Sequence, residues 1–405
     1  MTSKNKIKIS QNREFQKPID KLTGFEVTDH FQRFDQMNDM FNRSVWDARI
    51  CSEKVKAFFE SFTTQLCNFR QIAGFTQKDY ALRNASWLLA DYLAELKEET
   101  EDRREGFLDH YTIPIAGTNR KRDIPSPAEM SREIKHVARL FGADLTGICE
   151  FDARWVYRRR YSRRKKQPKE MDLPENLTRV IVLAFEMDYE LMRTNPSALS
   201  GAATGLRYSR DIGTLLLLAQ YIRNLGYQAV ASVNDTALDI PLAIQAGLGE
   251  YGRLGLLITR EFGPRVRLGK IFTDLPLALD TPIKFGVREF CAVCRQCVRG
   301  CPMRAVPEGA PTAEGPNRSN IRGVKKWHID AEKCFTLWVN QNTECSICIR
   351  VCPFNKDFSK WHLRWGRRLA GTFLRKWLLR LDRLLGYGQR KTPVWWWQLG
   401  KEKSK

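Results

Sequence analysis

Eight of the eleven cysteines are crowded into residues 291–352, in two blocks with closely similar spacing. The first block reads Cys291-x2-Cys294-x2-Cys297-x3-Cys301-Pro302, and the second reads Cys334-x10-Cys345-x2-Cys348-x3-Cys352-Pro353. Two-residue gaps let three thiolates converge on one cubane, while the cysteine before each proline faces the other cluster. The spacing therefore predicts two [4Fe–4S] clusters held by one small domain.

The same rule divides the ligands between the two clusters, because each block lends its last cysteine to the other. We assign Cys291, Cys294, Cys297 and Cys352 to cluster 1, and Cys334, Cys345, Cys348 and Cys301 to cluster 2. The ten-residue gap before Cys345 departs from strict bacterial ferredoxin spacing. Paired zinc sites are disfavoured by the two Cys-Pro endings, and a disulfide framework by the short gaps. The remaining cysteines are interpreted as small buried apolar residues, namely Cys51, Cys67 and Cys149.

Two clusters in series form an electron relay, and a relay needs an acceptor, which we place in the long segment before the cysteines. The chain has 405 residues with 43% hydrophobic and 11% aromatic content, enough for a core of normal size. A net charge of +21 either indicates acidic binding partners or only reflects charged side chains that keep the surface solvated. Neither a secretory signal nor a long apolar run is visible, and Arg103–Arg104 is internal, so we expect a cytoplasmic chain as given.

Apolar periodicity predicts the elements that carry these residues. Residues 1–40 are polar and are interpreted as an arm, followed by helices over 44–69 and 79–96. Residues 126–285 are interpreted as a mixed α/β domain. Its helices are predicted over 127–141, 211–225 and 238–246, its strands over 145–151, 179–187 and 227–233, with a basic loop at 157–171 and two paired strands flanking Gly263-Pro264. The sequence is therefore divided into four units. They are an N-terminal helical unit (1–125), the core (126–285), a two-cluster ferredoxin-like domain (286–356) and a basic amphipathic tail (357–405).

Two segments have competing interpretations. The tail is apolar on one face and rich in arginine on the other, so it either lies on a membrane surface or covers the cluster domain, and the second is favoured. Trp395–Trp397 are either an interfacial anchor or ordinary packing. Gly247-x-Gly249-x-x-Gly252 matches a dinucleotide fingerprint, but a predicted helix precedes it and a predicted strand follows, so dinucleotide binding is rejected. Its glycines are interpreted as allowing close approach of a large flat ligand.

Several long strings closely resemble the reductive dehalogenases. They include SALSGAATGLRYS (197–209), NDTALDIPLAIQAGLGEYGRLGLLIT (234–259) and EFGPRVRLGKIFTDLPL (261–277). The resemblance implies an α/β (α+β) fold, with a nitroreductase-like cobalamin-binding core and a C-terminal double [4Fe-4S] ferredoxin-like domain. It also implies two-electron reductive removal of halide from an organohalide substrate at a base-off cobalamin.

The resemblance also assigns roles to individual residues. Tyr208 corresponds to the family's proton donor, and Arg267 and Lys270 to the basic residues near the reacting halide. Thr204, Asn234, Gly249 and Gly252 are carried over as cofactor-binding residues. The chemistry agrees, because a phenol with a pKa of about 10 is a feasible acid and nearby cations favour its anion and attract halide. Without the family, each would be an ordinary packed or solvated residue.

The resemblance leaves partners and rival functions to consider. None of the five histidines lies in the D-x-H-x-x-G pattern of other cobalamin proteins, which agrees with a cobalt that lacks a protein ligand. The implied partners are a low-potential electron donor (ferredoxin, flavodoxin or a membrane quinol chain) and, as an option, a small membrane-anchor subunit; nucleic acid is not expected. The rival functions are an epoxyqueuosine reductase-like tRNA-modifying enzyme and a non-catalytic iron–sulfur electron-transfer protein.

Overall fold

The computed structural model describes residues 16–63, 69–101 and 120–402. The first part of the predicted arm, Cys67, the Arg103–Arg104 pair and His110 lie outside these ranges. In chain order the helices are α1 Pro18–Thr23, α2 Met40–Trp46, α3 Glu53–Glu60, α4 Gln77–Glu101, α5 Pro127–Leu140, α6 Tyr189–Arg193, α7 Ala198–Asn224, α8 Asp239–Gln245, α9 Val287–Cys294, α10 Gln296–Gly300, α11 Ala331–Gln341, α12 Ile347–Arg350, α13 Trp361–Leu369, α14 Arg375–Leu384 and α15 Pro393–Glu402.

The strands are β1 Val27–Gln32, β2 Leu145–Glu150, β3 Arg159–Ser162, β4 Gln167–Glu170, β5 Arg179–Glu186, β6 Ala229–Ser232, β7 Glu250–Tyr251, β8 Leu257–Ile258, β9 Val266–Thr273 and β10 Arg322–Val324. Four of them form an antiparallel sheet in the order β2-β5-β9-β6. The remaining strands form the pairs β1-β10, β3-β4 and β7-β8.

The central sheet is covered on both faces, which explains why β5 reads as the continuous apolar run Val180–Phe185. On one face, Ile181, Leu183 and Phe185 pack in the same cluster as Leu215 of α7. On the other face, Val180 and Val182 pack in the cluster that includes Leu242 of α8. Side chains of the sheet therefore point alternately toward α7 and toward α8.

The predicted α/β core is confirmed in most of its elements. Ser126 caps α5 by accepting the Glu129 backbone N–H, and Gly142 follows the helix with a φ of 112°. The strands at 145–151, 179–187 and 227–233 and the helix at 238–246 are also found. Helix α4 packs along α7, so the N-terminal unit shares a hydrophobic core with the sheet.

Other expectations were wrong. Helix α7 begins at Ala198, thirteen residues before the predicted start, and the basic loop is the hairpin β3-β4. The strand β8 pairs with β7, whereas β9 pairs with β5 and β6. The described part of the expected arm is packed, because Phe25, Phe31 and Phe34 are buried and β1 pairs with β10.

The remaining corrections are smaller. The single helix expected at 44–69 begins as two short helices, α2 and α3, and residues 64–68 lie outside the described ranges. Cys149 is buried as expected, but Cys51 is exposed.

The cluster region docks on the core through buried polar side chains. Arg253 is 2% exposed; its Nε donates to the carbonyl oxygen of Cys291, and its Nη1 to those of Pro307, Glu308 and Gly309, all at 2.8–3.0 Å. Glu250 accepts the backbone N–H groups of Phe285 and Val287 at the start of α9. These contacts fix the first cysteine helix against the loop that precedes β8.

The tail packs on the cluster region, as the favoured interpretation expected. Asp382 of α14 is buried and lies 2.5 Å from the Nζ atom of Lys356, and Leu379 is buried beside it. Trp396 and Trp397 pack against the hydrophobic cluster whose buried members include Cys291, Cys294, Cys297 and Cys352. Ordinary packing therefore accounts for both tryptophans. Among the described residues, none of the helices is both long and apolar enough to cross a membrane.

The Arg253 contacts predict a measurable role in docking. Arg253→Met leaves four carbonyl oxygens, one buried and three partly buried, without their cationic donor, so the free energy of unfolding should fall by about 3 kcal/mol. Differential scanning calorimetry and iron analysis of reconstituted protein should show a lower midpoint and reduced iron. The control is Arg288→Met on α9, the helix that Arg253 contacts, because the Arg288 side chain is exposed and donates a single hydrogen bond to Gly24. Equal midpoints for both variants would contradict the docking role.

Candidate active site

Tyr208 is the centre of a compact polar group between α7 and the sheet. Its phenolic oxygen accepts hydrogen bonds from Nη2 of Arg267 and from Nδ2 of Asn234. The same Nη2 atom donates to Oδ1 of Asn234 at 3.0 Å, so the three side chains contact one another. The Arg267 guanidinium also lies 4.1 Å from the Tyr208 ring centroid. A phenol, a guanidinium and an amide are therefore held together, with Tyr208 only partly buried.

Three different elements supply these groups. Tyr208 lies on α7, Arg267 is on β9 opposite Phe185 of β5, and Asn234 follows β6, the other neighbour of β9. Because Phe185 faces α7, its cross-strand partner Arg267 points to the same side. The sheet alternation thus directs one guanidinium at the helix that carries the phenol.

Trp87 of α4 completes the site, and the sequence did not single it out. Its ring stacks on Tyr208 with centroids 4.7 Å apart and an interplanar angle of 29°. A Cβ at Gly205 would lie 2.4 Å from Trp87 Cδ1, so glycine is required for this close approach. Trp87 Nε1 donates to Glu344 at 2.7 Å, and Glu344 immediately precedes Cys345. A chain of contacts therefore connects Tyr208 to the cysteine domain.

Lys270 does not lie beside Tyr208. It is three residues from Arg267 on β9 and therefore points to the opposite face of the sheet. Its Nζ atom is fully buried and contacts Oδ1 of Asp239 at 2.6 Å and the Val233 carbonyl oxygen at 2.8 Å. The expectation that Lys270 and Arg267 together face the phenol is corrected on this geometry.

The residues carried over as cofactor contacts are distributed over several places. Thr204 is one helical turn before Tyr208 and contacts the Met187 sulfur at 3.7 Å. A Cβ at Gly249 would lie 2.2 Å from the Ile258 carbonyl oxygen, and one at Gly252 would lie 2.6 Å from Ile258 Cδ1. Packing against β8 already requires both glycines, so their identity is not by itself a sign of a ligand.

Asp211 is a second residue that the sequence analysis did not identify. It lies one turn after Tyr208 on α7, is 4% exposed, and has Oδ1 3.4 Å from Nε of Arg207. Burial raises the pKa of Asp211 to about 8, although Arg207 and Arg267 lower it. A carboxyl group that is mostly protonated at neutral pH therefore lies beside the Tyr208 site.

The cysteines of the two blocks lie near one another. None of the ten described cysteines is in a disulfide. Burial raises the pKa of Cys352 well above its ordinary value, and the nearby thiols of Cys291, Cys294 and Cys297 raise it further. Burial raises the pKa of Cys334 to about 12, with contributions from Cys345 and Cys301. The last cysteine of each block thus lies beside the other block, as the crossed assignment requires.

Two family models match the chain in the segments that contain these residues. Residues 164–277 match the model described as reductive dehalogenase subunit, and residues 290–355 match the 4Fe-4S double cluster binding domain. The tetrachloroethene reductive dehalogenase of Sulfurospirillum multivorans is 35% identical over 315 residues, which are 70% of this chain and 62% of that protein.

The chain is similar in sequence to the reductive dehalogenases. The tetrachloroethene reductive dehalogenase of Desulfitobacterium hafniense is 39% identical over 276 residues, or 57% of this chain and 49% of that protein. An epoxyqueuosine reductase from Aliivibrio fischeri is only 25% identical over 260 residues, so the tRNA-modifying alternative is not favoured.

The fold agrees with a solved structure of a dehalogenase. The catabolic reductive dehalogenase NpRdhA superposes with a TM-score of 0.70 over 90% of this chain at 24% identity, although the match covers 48% of NpRdhA. This likeness establishes the fold alone. The chain spans about half to three-fifths of the length of these relatives.

The contact of Trp87 with α7 predicts different effects of alanine at two glycines of the same helix. Gly205→Ala forces Trp87 away from Tyr208, and overpacking of this kind costs about 1–3 kcal/mol. Gly213→Ala is the matched control, because a Cβ there meets nothing within 4 Å and alanine favours the helix. Thermal unfolding should show a lower midpoint for Gly205→Ala and an equal or higher one for Gly213→Ala. A Gly205→Ala midpoint equal to that of the wild type would contradict the stacking requirement.

The raised pKa of Asp211 predicts a pH-dependent change in stability. Because the folded protein holds this proton more tightly than the unfolded chain, the wild type loses stability as pH rises from about 4 to about 8. Asp211→Asn removes that loss, so the midpoint of the variant relative to the wild type should increase over this range. The measurement is thermal unfolding of both proteins at several pH values. A difference that is constant with pH, or that falls, would contradict the raised pKa.

Proposed function

We propose that the chain is a reductive dehalogenase that converts an organohalide, two electrons and a proton into the reduced carbon product and a halide ion. The reaction would use a bound cobalamin that receives electrons from two [4Fe–4S] clusters. The observation that supports this proposal most directly is the Tyr208 group, in which a cation and an amide both donate to a phenolic oxygen. This group lies inside the segment that matches the dehalogenase model.

The cysteine domain suits two iron–sulfur clusters. Buried thiols must lose their protons to bind iron, and the positive charge of the metal compensates the thiolates that burial otherwise disfavours. The proposed ligands of cluster 1 are Cys291, Cys294, Cys297 and Cys352, and those of cluster 2 are Cys334, Cys345, Cys348 and Cys301. Arg253 lies close to the first block and donates to the Cys291 carbonyl oxygen, which also favours negative charge there.

The residues around Tyr208 suit a reaction that releases an anion, as dehalogenation at cobalamin would. The donors here are those of an acid and anion site, and the Nε atom of Arg267 is buried without a hydrogen-bond partner, so the guanidinium has spare donor capacity. Among the described histidines, His30, His136 and His362 are exposed, and Nε2 of His328 contacts the Thr312 and Val324 carbonyl oxygens. When bound, cobalamin supplies the reduced cobalt that cleaves the carbon–halogen bond.

The side chains of the chain then provide the proton and the local charge. Tyr208 carries the proton on its phenolic oxygen and donates it to the product carbon. The phenolate that remains is stabilised by the two hydrogen bonds from Arg267 and Asn234, which already aim at that oxygen. Arg267 also attracts the departing halide, because it is a permanent cation in a partly buried site. Trp87 keeps the phenol ring in place by stacking.

Some partners follow from the reaction. Two electrons per turnover require an external low-potential donor, for which ferredoxin, flavodoxin and a membrane quinol chain are the candidate classes. A small membrane-anchor subunit is proposed only on the resemblance. The reactants to test first are those named for the relatives, tetrachloroethene and trichloroethene, together with 3-bromo-4-hydroxybenzoic acid, which was bound to NpRdhA.

The proposal predicts the result of removing one hydroxyl group. Tyr208→Phe should lower dehalogenation by at least about a hundredfold, because general-acid catalysis contributes that much or more. Iron and cobalt contents should equal those of the wild type. Halide release and product are measured anaerobically with a reduced viologen as electron donor. The matched control is Tyr221→Phe on the same helix, since the Tyr221 hydroxyl donates to Glu133 on the far side of α7 from the site.

Unchanged turnover in Tyr208→Phe would remove Tyr208 from the reaction. Loss of cobalt or iron in that variant would mean that the hydroxyl is needed to build the site, which also contradicts its role as the acid.

A further inference from the structure

The outward side of α13, α14 and the turn between them carries an unusual concentration of exposed apolar side chains. We call it the tail face. Phe373 is 86% exposed, Leu384 84% and Trp377 72%. Seven of the sixteen exposed large apolar side chains in the described part of the chain lie in these 25 residues, namely Trp361, Trp365, Phe373, Trp377, Leu381, Leu384 and Leu385. Exposure on this scale in one short segment marks an interaction surface.

Helix α14 has two apolar sides, and only one of them is packed against the described part of the chain. Leu379 and Asp382 face inward, where both are buried and Asp382 pairs with Lys356. Trp377, Leu381 and Leu384 are spaced at i, i+4 and i+7, so they form a stripe along the opposite side. A helix that only covered its own cluster domain would need a polar outer side. The stripe is therefore surplus to the packing that the structure shows.

The charges beside this stripe identify the occupant. From Lys360 to Lys391 the chain has ten lysines and arginines and a single acid, Asp382, which is committed to Lys356. Lys376, Arg380 and Arg383 are exposed on the outward half of α14, and Arg364 and Arg368 are exposed on α13. A second copy of the chain would bring the same positive charges against these, which is unfavourable. Nucleic acid would take the cations but would not bury the apolar stripe.

We propose that the tail face docks on an anionic lipid surface. Its tryptophan, phenylalanine and leucine side chains enter the boundary between headgroups and acyl chains, while the flanking cations pair with lipid phosphates. The inner side of α14 stays on α9, which carries Cys291 and Cys294, so docking holds the cluster domain close to the membrane surface. This docking is independent of the proposed reaction, because it uses none of the residues around Tyr208.

The test is flotation of the reconstituted full chain with lipid vesicles on a density gradient. One set of vesicles is phosphatidylcholine alone, and the other is phosphatidylcholine mixed with phosphatidylglycerol. The protein should float with the mixed vesicles and remain at the bottom with phosphatidylcholine alone. Binding should weaken as salt is raised toward about 1 M, where charges are screened beyond roughly 3 Å.

Two sets of substitutions separate the contributions of the stripe and the charges. Trp377→Ser with Leu381→Ser and Leu384→Ser should lower the partition coefficient by about a hundredfold or more, because three large apolar groups no longer enter the lipid. Lys376→Gln with Arg380→Gln and Arg383→Gln should lower it by about a hundredfold, since three cations near the surface are lost. These side chains are exposed, so thermal midpoints should match that of the wild type.

The control removes the same number of charges elsewhere. Arg164, Lys165 and Lys166 are exposed in the β3-β4 hairpin, and changing all three to glutamine should leave vesicle binding close to the wild-type value. Absence of flotation with both vesicle types would overturn the proposal. So would an equal loss of binding in the hairpin control, because non-specific attraction would then account for it. A dimer in sedimentation velocity that the Trp377 set dissociates, without vesicle binding, would assign the tail face to a second copy instead.

Discussion

The alternation of side chains along β9 is the constraint on which the rest of the molecule depends. Arg265, which directly precedes the strand, reaches Asn355 and the Lys356 carbonyl oxygen at 3.1 Å, just beyond the last cysteine. Arg267 faces α7 and contacts Tyr208, whereas Lys270 faces the other side and pairs with Asp239. The position of β9 between β5 and β6 fixes all three cations. One strand therefore positions the cluster domain, the candidate acid and the second layer of the core.

The candidate site and the cluster domain are joined by a short series of contacts. Tyr208 stacks on Trp87, Trp87 donates to Glu344, and Glu344 is followed by Cys345. Glu344 also accepts from Thr343, and Gly201 of α7 leaves room for it, because a Cβ there would lie 2.5 Å from Glu344 Oε2. Small residues at Gly201 and Gly205 thus let the cysteine domain and α4 approach one helix. Electron supply and proton supply would then share α7 as a common support.

The sequence was most informative where geometry is local. Cluster ligation depends on gaps of two and three residues, so the cysteine spacing predicted the double-cluster domain, while the crossed assignment of its ligands stays a prediction. The site itself was harder to predict, because its residues are far apart in the chain. In addition, Trp87 of α4 can approach Tyr208 only because Gly205 of α7 has no side chain in the way. Lys270 was misplaced because its role was carried over from the resemblance without the alternation of the strand, which sends residues three apart to opposite faces. The start of α7 was missed because its small residues, Ala198–Gly205, lack an apolar period.

The central claim is that one chain holds two four-iron clusters and one corrinoid around the Tyr208 site. The most direct measurement is iron and cobalt analysis with corrinoid extraction from protein reconstituted without oxygen. We expect about eight iron atoms and about one cobalt atom per chain, with the cobalt recovered as a corrinoid. Iron at that level without retained cobalt would contradict the account, because the chain would then be an electron relay with the fold of a dehalogenase.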